Sequence, residues 1–183
     1  MWILTRLLVT GLTVLFVSET AFAGMEAFHS GPVFDDYGKV ATIDMTRPLA
    51  KRTRFKISFD AAKAADPGGI NRNFDSLARF INMHVEAGIP LKRINLAMVV
   101  HGKAAHDLTI ASHYAGVYNG QDNANAALIK ALTEQGVKFY LCGQSAAYYD
   151  IEKSELLPGV EMSLSAMTSH ALLQQEGYTL NPF

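Results

Sequence analysis

The order of apolar and polar residues divides the chain, from about residue 51 onward, into short alternating segments. Residues 54–59 alternate polar and apolar side chains, which predicts a strand covered mainly on one face. Residues 94–100 (INLAMVV) are almost uniformly apolar, which is typical of a central strand covered on both faces. Further extended segments are predicted at residues 137–141, 160–164 and 178–183.

Helical spacing of apolar residues separates these strands. One predicted helix ends at Gly88 and Pro90, and its apolar face consists of Phe74, Leu77, Ala78, Ile81 and Val85. A second helix over residues 124–132 ends at Gly136, and residues 110–117 fit either a strand or a helix. Short helices are predicted at residues 103–108 and 144–149. The last helix ends at Gly177, and its apolar face consists of Leu164, Met167, Ala171 and Leu172.

Strands that alternate with helices predict an α/β fold. We expect a single three-layer domain over residues 51–183, with a mainly parallel central sheet of about five strands and helices on both faces. Residues 24–50 have no sustained period and contain Gly31-Pro32, Asp35-Asp36 and Pro48. They are interpreted as an irregular extension that packs on the domain or reaches a neighbouring subunit.

Residues 1–23 have the pattern of a cleavable signal peptide. Arg6 precedes an apolar core over residues 7–17, and Ala21-Phe22-Ala23 fits the small-x-small cleavage pattern. The apolar core is short for the roughly 30 Å of a bilayer interior, so cleavage after Ala23 is favoured over a membrane anchor. The mature chain is therefore expected to be periplasmic or secreted, with no membrane partner.

Composition limits the partners further. The chain has 183 residues, 49% of them hydrophobic, and a formal net charge of −1. A balanced surface provides no field that would attract a polyanion, so nucleic acid is not an expected partner. No glycine-rich phosphate loop follows the first strand and no Ser-His-Asp set can be read from spacing, so no cofactor and no self-contained catalytic set are predicted.

The one cysteine, Cys142, is the main candidate for chemistry. It directly follows a predicted strand and precedes Gly143, Gln144 and Ser145, which are predicted to open a helix and to line the ligand site. Free backbone N–H groups at such a position favour the thiolate over the thiol. An inert buried thiol explains the position equally well, because free cysteine is among the most buried residue types. A cysteine that cannot pair within its own chain can also be an intermolecular disulfide partner, which is the less favoured of the three explanations.

His101 ends the strand at residues 94–100 in the same way, followed by Gly102, which is also predicted to line the site. If the two strands are parallel neighbours, His101 and Cys142 lie at one sheet edge. An imidazolium there would lower the pKa of the thiol, and a neutral imidazole could move a proton. A histidine that closes its strand with a local hydrogen bond explains the position as well. His106 and His113 follow, but the three histidines fit no zinc spacing, so no metal is predicted.

Several segments, in their order and spacing, resemble the DsrE/DsrF-like family. They are VVHG at 99–102, NANAALIKALTEQG at 123–136, VKFYLCGQS at 137–145, DIEKSELLPG at 150–159, SAM at 165–167 and QEGY at 175–178, together with NR at 71–72 and ARFIN at 78–82. The resemblance covers residues 52–183. It implies a small α/β fold with a parallel sheet that assembles as dimers, trimers or hexamers. In some members a cysteine, matched here by Cys142, takes up sulfane sulfur as a persulfide and passes it on.

Three hypotheses follow from the sequence. The first is a persulfide carrier in an exported compartment, with sulfur donor and acceptor proteins or small thiols as partners, acting through Cys142 with His101. The second is a non-catalytic oligomer that binds a small ligand or a partner, with Cys142 in a packing role. The third is a redox sensor that forms a disulfide between subunits.

Overall fold

The computed structural model describes residues 24–181, and the predicted signal peptide lies outside them. The strands are β1 (Phe55–Ala61), β2 (Ile94–Val100), β3 (Lys138–Cys142), β4 (Val160–Ser163) and β5 (Thr179–Asn181). The helices are α1 (Arg72–Glu86), α2 (Ala111–Val117), α3 (Asn125–Glu134), α4 (Gly143–Tyr148) and α5 (Ala166–Gln175). Short 3-10 helices lie at Met25–Ala27, Leu91–Arg93, Gly102–Leu108 and Lys153–Glu155.

The five strands form one sheet in the order β4-β3-β2-β1-β5, and all four pairings are parallel. The expected three-layer α/β domain with about five strands is therefore confirmed. The segment at 110–117, which fits either type of element, forms helix α2 from Ala111 onward. Because the strands are parallel, the residues that follow β1, β2, β3 and β4 meet at one edge of the sheet.

The two faces of the sheet are covered unequally. The main core joins α1, α3 and the 3-10 helix at Gly102–Leu108 to alternate residues of the central strands, among them Phe59, Leu96, Met98, Val100, Phe139 and Leu141. The second core is small, and joins Ala97 and Val99 of β2 to Leu173 of α5 and to Tyr178. Alternation along each strand therefore assigns one set of side chains to α1 and α3 and the other set to α5.

Helix α5 connects the two edges of the sheet. It follows β4, the outer strand on one side of the sheet, and leads into β5, the outer strand on the other side. Between them it contacts β2, β3, β4 and β5. Its buried residues are Ser169 and Leu173. The apolar face recognised in the sequence points the other way, since Leu164, Met167 and Leu172 are 71%, 80% and 53% exposed. The residues that face the sheet are Leu173, which packs with Ala97 and Val99, and Ser169, whose hydroxyl contacts the Ser163 hydroxyl at 2.7 Å.

Part of the N-terminal extension packs on α1 through the side chain of Asn82. The Asn82 carboxamide oxygen accepts hydrogen bonds from the N–H groups of Val33 and Phe34, at 3.1 and 3.0 Å. Its nitrogen approaches the carbonyl oxygens of Phe34, Tyr37 and Gly38 at 3.0 to 3.1 Å. Gly31 lies so close that a Cβ there would stand 2.1 Å from the Asn82 side chain. One fully buried amide thus fixes residues 31–38 on the domain.

Within residues 24–181, no helix has the length and apolar character needed to cross a membrane.

Replacement of Asn82 by Ala is expected to release the extension, because it leaves several backbone N–H and C=O groups without a partner. The free energy of unfolding should fall by about 2–4 kcal/mol, the cost of a few lost buried hydrogen bonds. Urea denaturation measures the loss, and limited proteolysis should show earlier cleavage within residues 31–42. Ser76→Ala is the matched control, since the Ser76 hydroxyl bonds only to the Arg72 carbonyl of its own helix. Equal stability of Asn82→Ala and Ser76→Ala would contradict this account.

Candidate functional site

Cys142 is the last residue of β3 and the residue that caps α4. It is 6% exposed. In register it pairs with Ser163 at the end of β4, and α5 starts three residues later at Ala166. Two helices therefore begin beside the same sulfur atom. Gly143 permits the close approach of these strand ends, because a Cβ on it would lie 2.5 Å from the carbonyl oxygen of Ser163.

The sulfur atom lies among hydrogen-bond donors. Burial raises the pKa of the Cys142 thiol, but several hydrogen bonds together lower it by more than burial raises it. The donors are the backbone N–H and the hydroxyl of Ser145, followed by the N–H groups of Ala166 and Gln144. The net pKa lies below the ordinary value of a cysteine, because donors from both helix starts stabilise the thiolate.

Ser145 is connected to the end of β2 as well as to the sulfur. Its Oγ accepts a hydrogen bond from the N–H of Gly102 at 3.0 Å. That contact leaves the hydroxyl proton free to point elsewhere, and the hydroxyl donates it to Cys142. Gln144 is held in a similar way, since its side-chain nitrogen donates to the Leu164 carbonyl at 3.2 Å. The loop after β2 and the segment before α5 thus position the two residues that follow Gly143.

A shallow depression of about 330 Å³ opens beside the sulfur. It is lined by Asp60, His101, Cys142, Gln144, Ser145, Ser165, Ala166, Met167 and His170. Four of the six residues predicted from the sequence therefore line one space, namely Cys142, His101, Gln144 and Ser145. The two glycines support it from outside the lining: Gly102 through its bond to Ser145, and Gly143 through its contact with Ser163.

Asp60, Ser165 and His170 are the polar lining residues that were not among the predicted site residues. Asp60 lies on β1, and its two carboxylate oxygens contact two different histidines. Oδ2 lies 3.0 Å from Nε2 of His101, and Oδ1 lies 2.8 Å from Nε2 of His170. The position of Asp60 near the C-terminal end of a predicted strand could have identified it as a candidate site residue, because ligands bind at those strand ends in parallel sheets. Nothing in the sequence connects His170 with it, because the contact depends on how α5 crosses the sheet.

His106 and His113, whose spacing with His101 fits no zinc site, lie apart from this depression. His106 stacks on His113 and contacts Tyr118 and Tyr149, and His113 pairs with Glu155 at 3.1 Å. Burial, and then the charge of His113, lower the pKa of His106. Residues 24–181 contain no group of three or more His, Cys, Asp or Glu side chains placed to hold a metal ion.

Comparisons with known proteins agree with this architecture. The sequence model of the DsrE/DsrF-like family matches residues 45–182. Two solved structures share the fold, each covering 70% of this chain and 99% of its own. One is MTH1491 of Methanobacterium thermoautotrophicum, described as of unknown function, with a TM-score of 0.51 and 17% identity. The other is YchN of E. coli, with a TM-score of 0.52 and 20% identity. A search of curated proteins gave no match.

Removal of the Ser145 hydroxyl is expected to raise the pKa of Cys142, because one donor to the thiolate is lost. The rate of alkylation by iodoacetamide, followed against pH, should rise with a midpoint below that of an ordinary cysteine in the wild type. In Ser145→Ala the midpoint should move to higher pH. The midpoint is the correct reporter, since a less acidic thiol is intrinsically more nucleophilic once ionised. Ser154→Ala, which removes a hydroxyl bonded to Glu152, should leave the midpoint in place. An unshifted midpoint in Ser145→Ala would show that the Ser145 hydroxyl does not stabilise the thiolate.

Proposed function

The chain belongs to the DsrE/DsrF-like family, and from that premise we propose that it is a persulfide carrier that works through Cys142. The observation that carries the proposal is the convergence of N–H and hydroxyl donors from α4 and α5 on a sulfur that lines an open depression. Family membership supports a sulfur-relay type of protein in general. The assignment of the carrier role to this chain rests on the geometry around its one cysteine.

The chemistry requires a sulfur atom that is nucleophilic when empty and a good leaving group when loaded. A thiolate with a lowered pKa meets both needs, because its negative charge is already stabilised by hydrogen bonds. Cys142–S⁻ attacks the outer sulfur of a donor persulfide R–S–SH and forms Cys142–S–S⁻, while R–SH leaves with the proton. The reverse reaction with a second thiol delivers the sulfur atom. The partners are sulfur donor and acceptor proteins or small thiols.

Export is part of the proposal and is supported by the pattern of residues 1–23. A carrier in the periplasm works where thiols are readily oxidised. The low exposure of Cys142, at 6%, favours survival of its sulfur there, since access limits oxidation as well as exchange.

The sulfur-loading experiment tests the carrier role. Wild-type protein recovered from the periplasm of a bacterial host is reduced and incubated with glutathione persulfide. Its mass is then measured by mass spectrometry of the intact protein. We expect a gain of one sulfur atom per chain, lost again on reduction, and no gain in Cys142→Ser. The same spectrum reports the N-terminus, which should be Gly24 after signal cleavage. Absence of loading in the wild type, with Cys142 intact, would favour the non-catalytic binding function. A covalent dimer on a non-reducing gel would instead favour the redox sensor.

Homo-oligomerisation is a second part of the proposal. It is supported by Met167 and Leu172, which are exposed on α5, and by Leu164, which is exposed just before the helix. Exposed apolar residues that lie together commonly mark an interaction surface.

Leu172→Asp is expected to weaken assembly, because a carboxylate would be buried at the interface without a partner. The dissociation constant should rise by roughly tenfold or more, as a cost of 1–3 kcal/mol implies. Sedimentation velocity over a concentration series measures it. Gln175→Asp provides the control, with the same charge on an exposed position of the same helix. A wild-type chain that remains monomeric throughout the series would contradict this part of the proposal.

A further inference from the structure

Asp60 links two imidazoles that line the depression beside Cys142. The Asp60 oxygens lie 3.0 Å from Nε2 of His101 and 2.8 Å from Nε2 of His170. An ionised carboxylate can only accept hydrogen bonds, so both Nε2 atoms carry protons. The lone pair of each imidazole is then on Nδ1.

The two histidines differ in accessibility. The His170 side chain is 17% exposed, and its Nδ1 is buried with no hydrogen-bond partner among the described residues. The His101 side chain is 35% exposed, so a molecule in the depression can reach it. His101 is therefore the imidazole that can exchange a proton with a partner, and His170 is the one that can only hold Asp60.

The hydrogen bonds that lower the pKa of Cys142 come from Ser145, Ala166 and Gln144. The partner thiol is the group that calls for a base, because it enters the reaction protonated and must lose its proton before it can attack.

We propose that Asp60, His101 and His170 form a proton-transfer array that serves the partner thiol during sulfur transfer. This inference rests on the proposed carrier function. His101 is the catalytic residue of the array. Asp60 is a positioning residue that fixes the tautomer and orientation of His101, and His170 is a positioning residue that fixes the carboxylate of Asp60.

The step is balanced without any external oxidant or reductant. A thiol R–SH gives its proton to Nδ1 of His101, and R–S⁻ attacks the outer sulfur of Cys142–S–S⁻. The bond between the two sulfur atoms of the persulfide breaks, and its electron pair stays on Cys142 as the thiolate. His101 returns the proton to the outer sulfur, so that Cys142–S–S⁻ and R–SH become Cys142–S⁻ and R–S–SH. The array therefore fits an acceptor that carries an ionisable thiol.

The test compares two acceptors on protein that has been loaded with sulfur. Glutathione must lose a proton to act, whereas sulfite attacks through a lone pair that is already free and leaves as thiosulfate. In Asp60→Asn, transfer to glutathione should fall by about 10²-fold, the usual contribution of general acid–base catalysis. The ratio of the glutathione rate to the sulfite rate should fall with it. The pH profile of the glutathione rate should move toward that of free glutathione ionisation. His170→Gln should change the ratio in the same direction by a smaller factor.

Glu86→Gln is the matched control. It alters a comparable histidine–carboxylate contact, 2.9 Å from His29, at a distance from the sulfur. Its ratio should equal that of the wild type. An unchanged ratio in both Asp60→Asn and His170→Gln, or an equal fall of both rates, overturns the array. If Asp60→Asn does not fold, the ratio in His170→Gln decides alone. Failure of the wild type to load sulfur would instead overturn the carrier function itself, so the two results are distinguishable.

Discussion

The need to stabilise a negative charge on a nearly buried sulfur atom determines how the edge of this sheet is built. Cys142 is 6% exposed, and burial by itself favours the neutral thiol. The pKa of the thiol nevertheless lies below its ordinary value, because N–H groups from the starts of α4 and α5, with the Ser145 hydroxyl, donate to the same atom. Those donors are in place because β3 and β4 are adjacent and parallel and because Gly143 lets the two strand ends approach closely. The chemistry thus follows from strand order rather than from α4 alone.

Much of this architecture could be predicted from the sequence, because the main core has a strong pattern. The run at 94–100 is buried on both faces, and the helical spacing from Phe74 to Val85 describes α1 well. The predicted positions of Cys142 and His101 at neighbouring strand ends are also found, since parallel pairing of β2 with β3 follows from the α/β alternation.

The second face of the sheet was harder to predict, for a physical reason. On β1 the alternation of Lys56, Ser58 and Asp60 with apolar residues has the pattern of a solvent-exposed face. In the structure α5 and the segment after it cover part of that face: Ser58 is buried, Asp60 contacts His170, and Lys56, which stays exposed, lies over the Tyr178 ring. The Ser58 hydroxyl has no hydrogen-bond partner among the described residues, whereas the Asp60 carboxylate contacts two histidines. A rule that assigns polar strand residues to solvent therefore misses Asp60, and the apolar outer face of α5 was missed through the same assumption.

Helix α5 also joins two parts of the site mechanically. Ala166 donates its N–H to the sulfur, and His170, one turn further along, contacts Asp60. An α-helix moves nearly as a rigid rod over such a distance, since its backbone hydrogen bonds resist local stretching. A tilt or slide of α5 would therefore displace the Ala166 N–H from the sulfur and His170 from Asp60 in the same motion. A molecule that binds the outer surface of α5 and shifts the helix would therefore change the surroundings of Cys142 and of Asp60 together.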